Sequence, residues 1–290
     1  MTRICLFAHF NPSGRIAPHV LHYLQQLRSC GFTTHVALSG TTRPHDADHA
    51  ALARIGAVPH ARPNRGLDFG AWQDLVSYGC ANGAETILLA NDSVFGPLAP
   101  LAPILASMEA RRSDVWGMVE SRERSWHLQS WFLCFTARAF AAPAIARVLR
   151  MPFRDMSKTE IVLHGELGLG AAIEAEGLRW DARARHPSGS LRRLVPGNPM
   201  HLDFLWMVRN ETVPFVKVEL LRDNPAALPW VGRWREAVAA SPIFAADWID
   251  RHLAGTTPHV APRPSQSLKM RLLYAAITRD RREAIRALLR

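Results

Sequence analysis

Cysteine is scarce in this chain and occurs without any paired spacing. The 290 residues include four cysteines, and no two of them form a Cys-x-x-Cys pair. Three of them, Cys5, Cys80 and Cys134, lie among apolar or small residues, a setting typical of small buried side chains. The pattern predicts neither a disulfide framework nor a zinc site, and it favours a reducing compartment.

Long hydrophobic segments are also missing. No apolar run approaches the roughly 20 residues that a membrane-spanning helix needs. Residues 1–8 enter a strand-like pattern at once, without the apolar core and cleavage site of a secretory signal. The sequence therefore predicts a cytoplasmic protein, whose contact with the inner face of the cell membrane would be peripheral.

The glycine signature of dinucleotide-binding proteins is absent. The glycines do not form G-x-G-x-x-G, so a Rossmann dinucleotide fingerprint is excluded.

Lys and Arg number 35 against 25 Asp and Glu, a formal net charge of +10 that favours anionic partners. Because the basic residues are spread out and no nucleic-acid motif accompanies them, we predict no nucleic-acid partner.

The chain does contain ample apolar material, at 48% hydrophobic residues. Apolar runs at 3–10 and 33–38 flank a segment at 16–29 with helical periodicity, which predicts a β-α-β opening. We therefore expect an α/β fold. We assign residues 1–228 to one domain and residues 229–290 to a helical C-terminal extension.

The most informative stretch is residues 85–97. Its apolar run at 87–90 suits a strand buried on both faces, and it stops at Asn91, Asp92 and Ser93. Ligands of open α/β sheets bind at the carboxyl ends of strands, and a carboxylate there can hold a divalent cation bridged to phosphates. The alternative is an Asx-turn that caps the strand without a ligand.

A second candidate segment follows a predicted strand and precedes a predicted helix. It contains Asn64, Gly66, Asp68 and Gly70, and its two glycines suit close approach of the backbone to a ligand. The helix starting at Asp68 would offer free N–H groups to a diphosphate. The equally favoured alternative is a tight turn with Asp68 as N-cap.

Charged residues later in the chain supply further candidates. Glu166 lies near the start of a predicted helix at 158–177, where it is either a dipole partner or a general base. Lys217 and Arg222 lie in a strand-like stretch at 214–225 and are either phosphate partners or part of a solvated rim.

The C-terminal tail, residues 267–290, is basic and amphipathic and follows a Pro-rich linker at 256–264. Two interpretations stay open. The tail lies on an anionic membrane surface, or it docks on the protein with a solvated basic face.

Four motifs occur in a fixed order: Asn64-Arg-Gly66-Leu-Asp68-Phe-Gly70-Ala71, Asn91-Asp92-Ser93-Val-Phe-Gly96-Pro97, Asp114-Val-Trp116-Gly117 and Gln129-Ser130-Trp-Phe132. Together they resemble the rhamnan synthesis protein F family, which comprises glycosyltransferase-like enzymes of bacterial cell-surface polysaccharide assembly. Residues 214–217 and 221–225 also resemble the C-terminal signature of that family. The resemblance covers most of residues 3–225. The four motifs are specific for the family only when they occur together and in this order.

The resemblance implies a GT-A-like fold that binds a nucleotide sugar at the carboxyl edge of the sheet. Asn91-Asp92-Ser93 would correspond to an Asp-x-Asp metal motif, with Asp92 as the one acid for Mg²⁺ or Mn²⁺. Residues 64–70 and Gln129 would face the nucleotide and its diphosphate. Glu166 would be the general base, with His164 as the alternative.

The implied reaction is transfer of a hexose, with inversion, from dTDP-L-rhamnose to a cell-surface polysaccharide or lipid-linked glycan. Such a reaction needs a base for the acceptor hydroxyl and positive charge on the leaving diphosphate. A cation at Asp92, with Lys217 or Arg222, would supply that charge. The alternative function is a non-catalytic module that binds a glycan or a partner in an assembly complex.

Overall fold

The computed structural model describes residues 2–187, 192, 197–259 and 267–289. Ten strands occur in these residues: β1 (Arg3–Phe10), β2 (Phe32–Ser39), β3 (Val58–Arg62), β4 (Thr86–Asn91), β5 (Val94–Phe95), β6 (Val115–Ser121), β7 (His127–Leu128), β8 (Phe132–Thr136), β9 (Trp180–Ala184) and β10 (Val216–Lys217). Eight of them form one sheet in the order β3-β2-β1-β4-β8-β6-β7, with β9 beside β6. The other two, β5 and β10, form a separate antiparallel ribbon.

Helices connect and flank the strands. Their bounds are Pro18–Ser29, Asp46–Ile55, Leu67–Ser77, Ala102–Glu109, Ala137–Phe140, Pro143–Leu149, Lys158–Ile161, Leu167–Ala175, Pro199–Leu202, Phe204–Arg209, Val218–Asp223, Trp234–Ala239, Ala246–Ala254, Leu268–Ile277 and Arg281–Leu288. Short 3₁₀ turns lie at Phe153–Asp155 and Val231–Arg233, and a π-helical turn lies at Val162–Glu166. The described residues contain no helix that is both long and apolar enough to cross a bilayer.

The first half of the sheet is parallel. β1 pairs in parallel with β2 and with β4, and β2 pairs in parallel with β3. The predicted β-α-β opening is therefore confirmed. Because these four strands point the same way, their carboxyl ends meet at one edge of the sheet, where polar groups following each strand come together.

The second half of the sheet is mixed. β8 runs antiparallel to both β4 and β6, and β9 runs parallel to β6. The sheet is buried on both faces, because successive residues of a strand alternate between them. Phe7 of β1 faces one apolar cluster with Tyr23, whereas Leu6 faces the other with Trp72.

The stretch predicted as a strand at 214–225 is mostly helical, so that prediction was wrong for residues 218–223. Only Val216 and Lys217 pair as a strand, against β5. The helix Val218–Asp223 follows and ends at Asn224 in the left-handed conformation. Val218 and Leu220 are both buried, and their spacing of two residues is the period of a strand, which accounts for the strand-like pattern.

The residues beyond 228 pack against earlier parts of the chain. Phe95 and Leu98 share a third apolar cluster with Trp230 and Trp234. Thr278 donates a hydrogen bond of 2.6 Å to the Leu202 carbonyl oxygen. The helical extension thus shares its core with the α/β part, and the boundary at 228 stays a prediction. Residues 260–264 of the predicted linker lie outside the described part of the chain.

Candidate functional site

A cavity of about 550 Å³ opens at the carboxyl ends of β1 and β4. Its walls include nine of the residues predicted from sequence: Asn64, Asp68, Asn91, Asp92, Ser93, Gln129, Glu166, Lys217 and Arg222. The position is the one at which open α/β sheets bind ligands, and ligand pockets typically enclose about 300–1,000 Å³. Segments that are far apart in sequence therefore meet around one hollow.

The polar turn after β4 is an Asx-turn, the alternative interpretation drawn from the sequence. The Asn91 side-chain oxygen accepts hydrogen bonds from the Ser93 N–H at 3.0 Å and the Ser93 hydroxyl at 2.7 Å, which is an Asx-turn. The Asn91 side-chain N–H also donates to the Asp68 carboxylate at 2.6 Å. Asn91 therefore shapes its own turn and also joins it to the second candidate segment.

Asp92 is held in place by the end of β1. Its Oδ2 atom lies 2.6 Å from Nδ1 of His9 and accepts a 3.0 Å hydrogen bond from the Phe10 N–H. Its Oδ1 atom accepts no hydrogen bond from the described residues. The Asp92 side chain is 19% exposed and lines the cavity, so one carboxylate oxygen is oriented while the other stays available.

His9 lines the cavity as well but was not identified from sequence. The available signal was a polar residue at the end of the buried run that forms β1. Its partner Asp92 is 83 residues away, and only the parallel pairing of β1 with β4 brings the two together.

Asp68 has the most perturbed carboxyl group lining this cavity. Burial raises its pKa above all, and the charges of Asp92 and Glu166 act in the same direction, from the usual 3.8 to about 7. The Lys217 ammonium and the Asn91 hydrogen bond oppose the rise without cancelling it. Perturbed acids of this kind are concentrated at functional sites.

The N-cap interpretation of Asp68 was wrong. The N-cap of the Leu67–Ser77 helix is Gly66, and no side chain caps this helix end. Asp68 lies in the first turn and points its carboxylate at Asn91, which leaves it on the wall of the cavity.

Asp68→Asn is expected to make the folded protein more stable at about pH 8. The pKa of this carboxyl is near 3.8 in the unfolded chain and about 7 in the folded protein. The free energy of unfolding of the wild type therefore falls as the pH rises between these values. The amide removes that penalty. The free energy of unfolding should rise by on the order of 1–2 kcal/mol, allowing for solvent screening.

The measurement is denaturant unfolding of both proteins in chelator-containing buffer at about pH 8 and about pH 4. Near pH 4 the wild-type carboxyl is protonated in the folded state, so the difference should shrink towards zero. A variant that is less stable than wild type at the higher pH would contradict the assignment.

Gly66 and Gly70 do not line the cavity, which departs from the expectation that they admit a ligand. Gly66 has a φ of +74°, and a Cβ on it would lie 3.0 Å from the Gly70 Cα. A Cβ on Gly70 would lie 2.5 Å from the Arg65 carbonyl oxygen. Both positions need glycine because the turn packs directly onto the first turn of its own helix.

Buried polar contacts fix this turn to the sheet. The Arg62 guanidinium bonds the Asp74 carboxylate at 2.6 Å and the Ser39 hydroxyl at 2.7 Å. The Trp72 indole N–H donates to the Ala90 carbonyl oxygen at 3.1 Å. The helix that carries Asp68 is thereby joined to the strand that Asp92 follows, so the two acids keep a constant relative position.

Glu166 ends the π-helical turn Val162–Glu166, which interrupts an otherwise continuous helical run from 158 to 175. Its Oε1 atom accepts hydrogen bonds from the Ser130 N–H at 2.7 Å and the Ser130 hydroxyl at 2.9 Å. Turns of this type occur frequently at functional sites. Ser130, which was part of a motif but not a predicted site residue, therefore orients the Glu166 carboxylate.

His164, the alternative base, is exposed and does not line the cavity. The π turn directs Glu166 inwards and leaves His164 outside. The structure therefore does not support His164 as the base.

Lys217 reaches the cavity through the β5–β10 ribbon. Its ammonium donates a 3.3 Å hydrogen bond to the Ser93 hydroxyl and lies 5.8 Å from the centre of the Trp131 ring. Burial lowers its pKa, while the nearby carboxylates, Glu166 first, raise it. The ribbon requires Gly96, whose φ is +141°, because a Cβ there would lie 2.6 Å from the Pro214 carbonyl oxygen.

Arg222 and Gln129 line the cavity but already have protein partners. Arg222 bonds the neighbouring Asp223 carboxylate at 2.7 Å. Gln129 donates to the Asn198 side-chain oxygen at 2.9 Å and accepts from the Trp131 indole at 2.9 Å. Further charged or imidazole side chains that line the cavity were not predicted: Glu123, Arg124, His127, Lys158, Glu219 and His252.

Residues 42–237 match the model of the family described as rhamnan synthesis protein F. The match spans more than half of the chain and includes every candidate site residue from Asn64 to Arg222. The chain belongs to this family. The resemblance was expected to cover most of residues 3–225. The match begins only after β2, so β1 and His9 lie outside it. Membership in the rhamnan synthesis protein F family supports a glycosyltransferase-like role in polysaccharide biosynthesis.

Two further similarities were found. The chain is 26% identical over 215 residues to virulence protein VirA of Vibrio anguillarum, an alignment that covers 63% of this chain and 68% of VirA. A solved structure of a cytidylyltransferase from Leptospira borgpetersenii serovar Hardjo-bovis aligns with a TM-score of 0.36 and 10% identity, covering 65% of this chain and 77% of that one. A TM-score this low does not establish a shared fold.

Proposed function

We propose that this protein is a GT-A-like, inverting glycosyltransferase of the rhamnosyltransferase type. Its donor would be dTDP-L-rhamnose and its acceptor a cell-surface polysaccharide or lipid-linked glycan. The observation that supports this most strongly is the single cavity in which Asp92, Asp68, Glu166 and Lys217 meet at the carboxyl edge of the sheet. Family membership in rhamnan synthesis supplies the substrate class.

The donor diphosphate would lie between the Asn91–Ser93 turn and the β5–β10 ribbon. Lys217 is the cation best placed for it, since its ammonium already touches Ser93 in that turn. Arg222, on the helix that follows β10, adds a second positive charge to the same wall. Fixed cations of this kind stabilise the charge that develops on a leaving diphosphate.

The carboxylates present also fit a divalent cation. Mg²⁺ is usually bound by one or two carboxylates together with substrate phosphates, and Asp92 and Asp68 present oxygen atoms to one cavity. When bound, Mg²⁺ or Mn²⁺ would neutralise diphosphate charge. Burial is the main cause of the raised pKa of Asp68, and a cation would relieve the repulsion from Asp92 that adds to it.

Glu166 would act as the general base. In the reaction the acceptor hydroxyl gives its proton to the Glu166 carboxylate while its oxygen bonds the anomeric carbon. The bond from that carbon to the diphosphate breaks, and its electron pair leaves with the diphosphate. Attack from the opposite face inverts the anomeric configuration. Ser130 holds one Glu166 oxygen, and the other accepts no hydrogen bond from the described residues.

Donor binding is the experiment that tests the proposal. Nucleotide sugars are screened by thermal shift with and without Mn²⁺ or Mg²⁺, and hits are measured by calorimetry. We expect dTDP-L-rhamnose to raise the melting temperature and to bind one per chain. Lys217→Met should weaken binding by roughly 10–100-fold, the effect of losing one charged hydrogen bond.

Lys269→Ala, in the exposed tail, is the matched control and should bind the donor as wild type does. If no nucleotide sugar binds in any metal condition, the transferase proposal fails and a non-catalytic glycan- or partner-binding module is favoured.

We also propose that the tail contacts an anionic membrane surface. The helices Leu268–Ile277 and Arg281–Leu288 expose apolar side chains, with Leu268 at 64%, Leu272 at 53% and Ile285 at 49%. Basic residues such as Lys269 lie between them, a combination suited to the interface of an anionic bilayer. Such contact would place the active site near a lipid-linked acceptor.

Cosedimentation with phosphatidylglycerol vesicles tests the tail. We expect wild type to bind and the double variant Leu268→Glu, Leu272→Glu to lose most binding, since it removes apolar area and adds like charge. Leu163→Glu, at another exposed leucine, should bind as wild type. Equal binding of the double variant and wild type would instead favour the interpretation of a docking helix with a solvated face.

A further inference from the structure

Two histidines and one cysteine meet near the β3 edge of the sheet, outside the cavity. His35 Nδ1 lies 3.0 Å from His60 Nε2, and Cys80 Sγ lies 3.7 Å from the same His60 nitrogen. The three ligand atoms all lie within 4.8 Å of one another. None of the three residues lines the cavity at the carboxyl ends of β1 and β4.

The fold accounts for this meeting. β2 and β3 pair in parallel, with His35 opposite Val58 and His60 opposite Ala37. The two histidines are therefore two register positions apart, which places their side chains on the same face of the sheet. Cys80 follows the Leu67–Ser77 helix, which packs on that face, and its side chain is buried in the apolar cluster there.

We propose that His35, His60 and Cys80 form a zinc site. Zinc binds imidazole nitrogen at about 2.0–2.1 Å and thiolate sulfur at about 2.3 Å, with tetrahedral geometry. Those bond lengths separate two nitrogen ligands by about 3.3 Å and a nitrogen from a sulfur by about 3.6 Å. The separations of 3.0 and 3.7 Å lie within a few tenths of an ångström of these values.

The fourth ligand would be water. His35 and His60 are both partly exposed, so solvent reaches the cluster. Two imidazoles with one thiolate suit zinc better than they suit the hard cations, such as Mg²⁺, that fit the Asp92 cavity. The two sites would therefore select different metals, and this proposal does not depend on the proposed transferase activity.

The sequence predicted no zinc site because it contains no closely spaced pair of ligands. The three residues are 25 and 20 positions apart along the chain, so only strand pairing and helix packing bring them together. A bound ion would join β2, the edge strand β3 and the end of the helix whose first turn carries Asp68.

The test uses the full chain, stripped with a chelator and titrated with Zn²⁺ against a chromophoric competitor. We expect one Zn²⁺ per chain and a higher melting temperature with the metal. Cys80→Ser loses a direct ligand and should bind Zn²⁺ at least roughly 100-fold more weakly than wild type. Loss of an outer-shell partner typically lowers metal affinity by only about 10–100-fold. With Co²⁺ as probe, wild type should show a thiolate-to-cobalt charge-transfer band that Cys80→Ser lacks.

Cys30→Ser and His49→Ala, which lie elsewhere on the protein, are the matched controls and should keep both the affinity and the band. Circular dichroism of the metal-free proteins checks folding, and His35→Gln replaces Cys80→Ser if the latter misfolds. The proposal is overturned if wild type binds no Zn²⁺, or if the site variants bind it as tightly as the controls. In that case the cluster is a hydrogen-bonded imidazole pair beside a buried thiol.

Discussion

Asp92→Asn should abolish most sugar transfer while the fold survives. The amide has the shape of the carboxylate and can still accept the hydrogen bond from the Phe10 N–H. It lacks the charge that pairs with His9 and that would hold a cation beside the donor diphosphate. We expect a loss of roughly 10²–10³-fold in turnover, the effect of removing one group that stabilises developing charge.

The measurement is transfer of rhamnose from dTDP-L-rhamnose over a range of Mn²⁺ and Mg²⁺ concentrations. If Asp92 binds the metal, the variant should need a higher metal concentration for its residual activity. Asp247→Asn is the matched control, because that carboxylate forms a surface pair with Arg251 and does not line the cavity. Full transfer by Asp92→Asn would remove Asp92 from the mechanism.

Glu166→Gln should lower turnover by roughly 10²–10⁴-fold, the usual contribution of a positioned general base. The glutamine oxygen can still accept both hydrogen bonds from Ser130, so the π turn should keep its shape. Because the change removes proton transfer and not a donor contact, kcat should fall while donor affinity measured by calorimetry stays the same. Glu174→Gln, exposed on the same helical run, should retain full activity.

Asp68 is the acid that would replace Glu166 in this role. Its pKa of about 7 would place the acid limb of the pH–rate profile near neutrality. If Glu166→Gln stays active while Asp68→Asn loses turnover together with that limb, the base is Asp68. If both variants lose turnover and only Glu166→Gln keeps its donor affinity, Glu166 is the base and Asp68 belongs to the donor site.

The sequence was a good guide wherever a local pattern set the structure. The apolar run at 87–90 became β4, and Asn91, Asp92 and Ser93 lie at its carboxyl end on the cavity wall. It was a poorer guide to individual roles. Gly66 and Gly70 were expected to face a ligand, but they allow a turn to pack on its own helix, since glycine serves either purpose.

Residues whose role depends on distant partners were missed or misjudged. His9 and Ser130 carry only a weak signal in the sequence, because their importance comes from contacts with Asp92 and Glu166, 83 and 36 positions away. His164 was predicted as the alternative base, and it lies only two residues from Glu166. A π turn directs neighbouring side chains to different sides, and its presence is not evident from helical periodicity.

The sequence by itself determined the α/β class, the strand that Asp92 follows and the family to which the chain belongs. Those conclusions rest on apolar periodicity and on motifs contiguous in the chain, which are local properties. Only the tertiary structure decided that Asp68, Asp92, Glu166 and Lys217 share one cavity, that Asp68 is the strongly perturbed acid, and that His35, His60 and Cys80 meet elsewhere. The physical reason is that burial and through-space charge depend on strand order and register, which bring together residues that the chain keeps far apart.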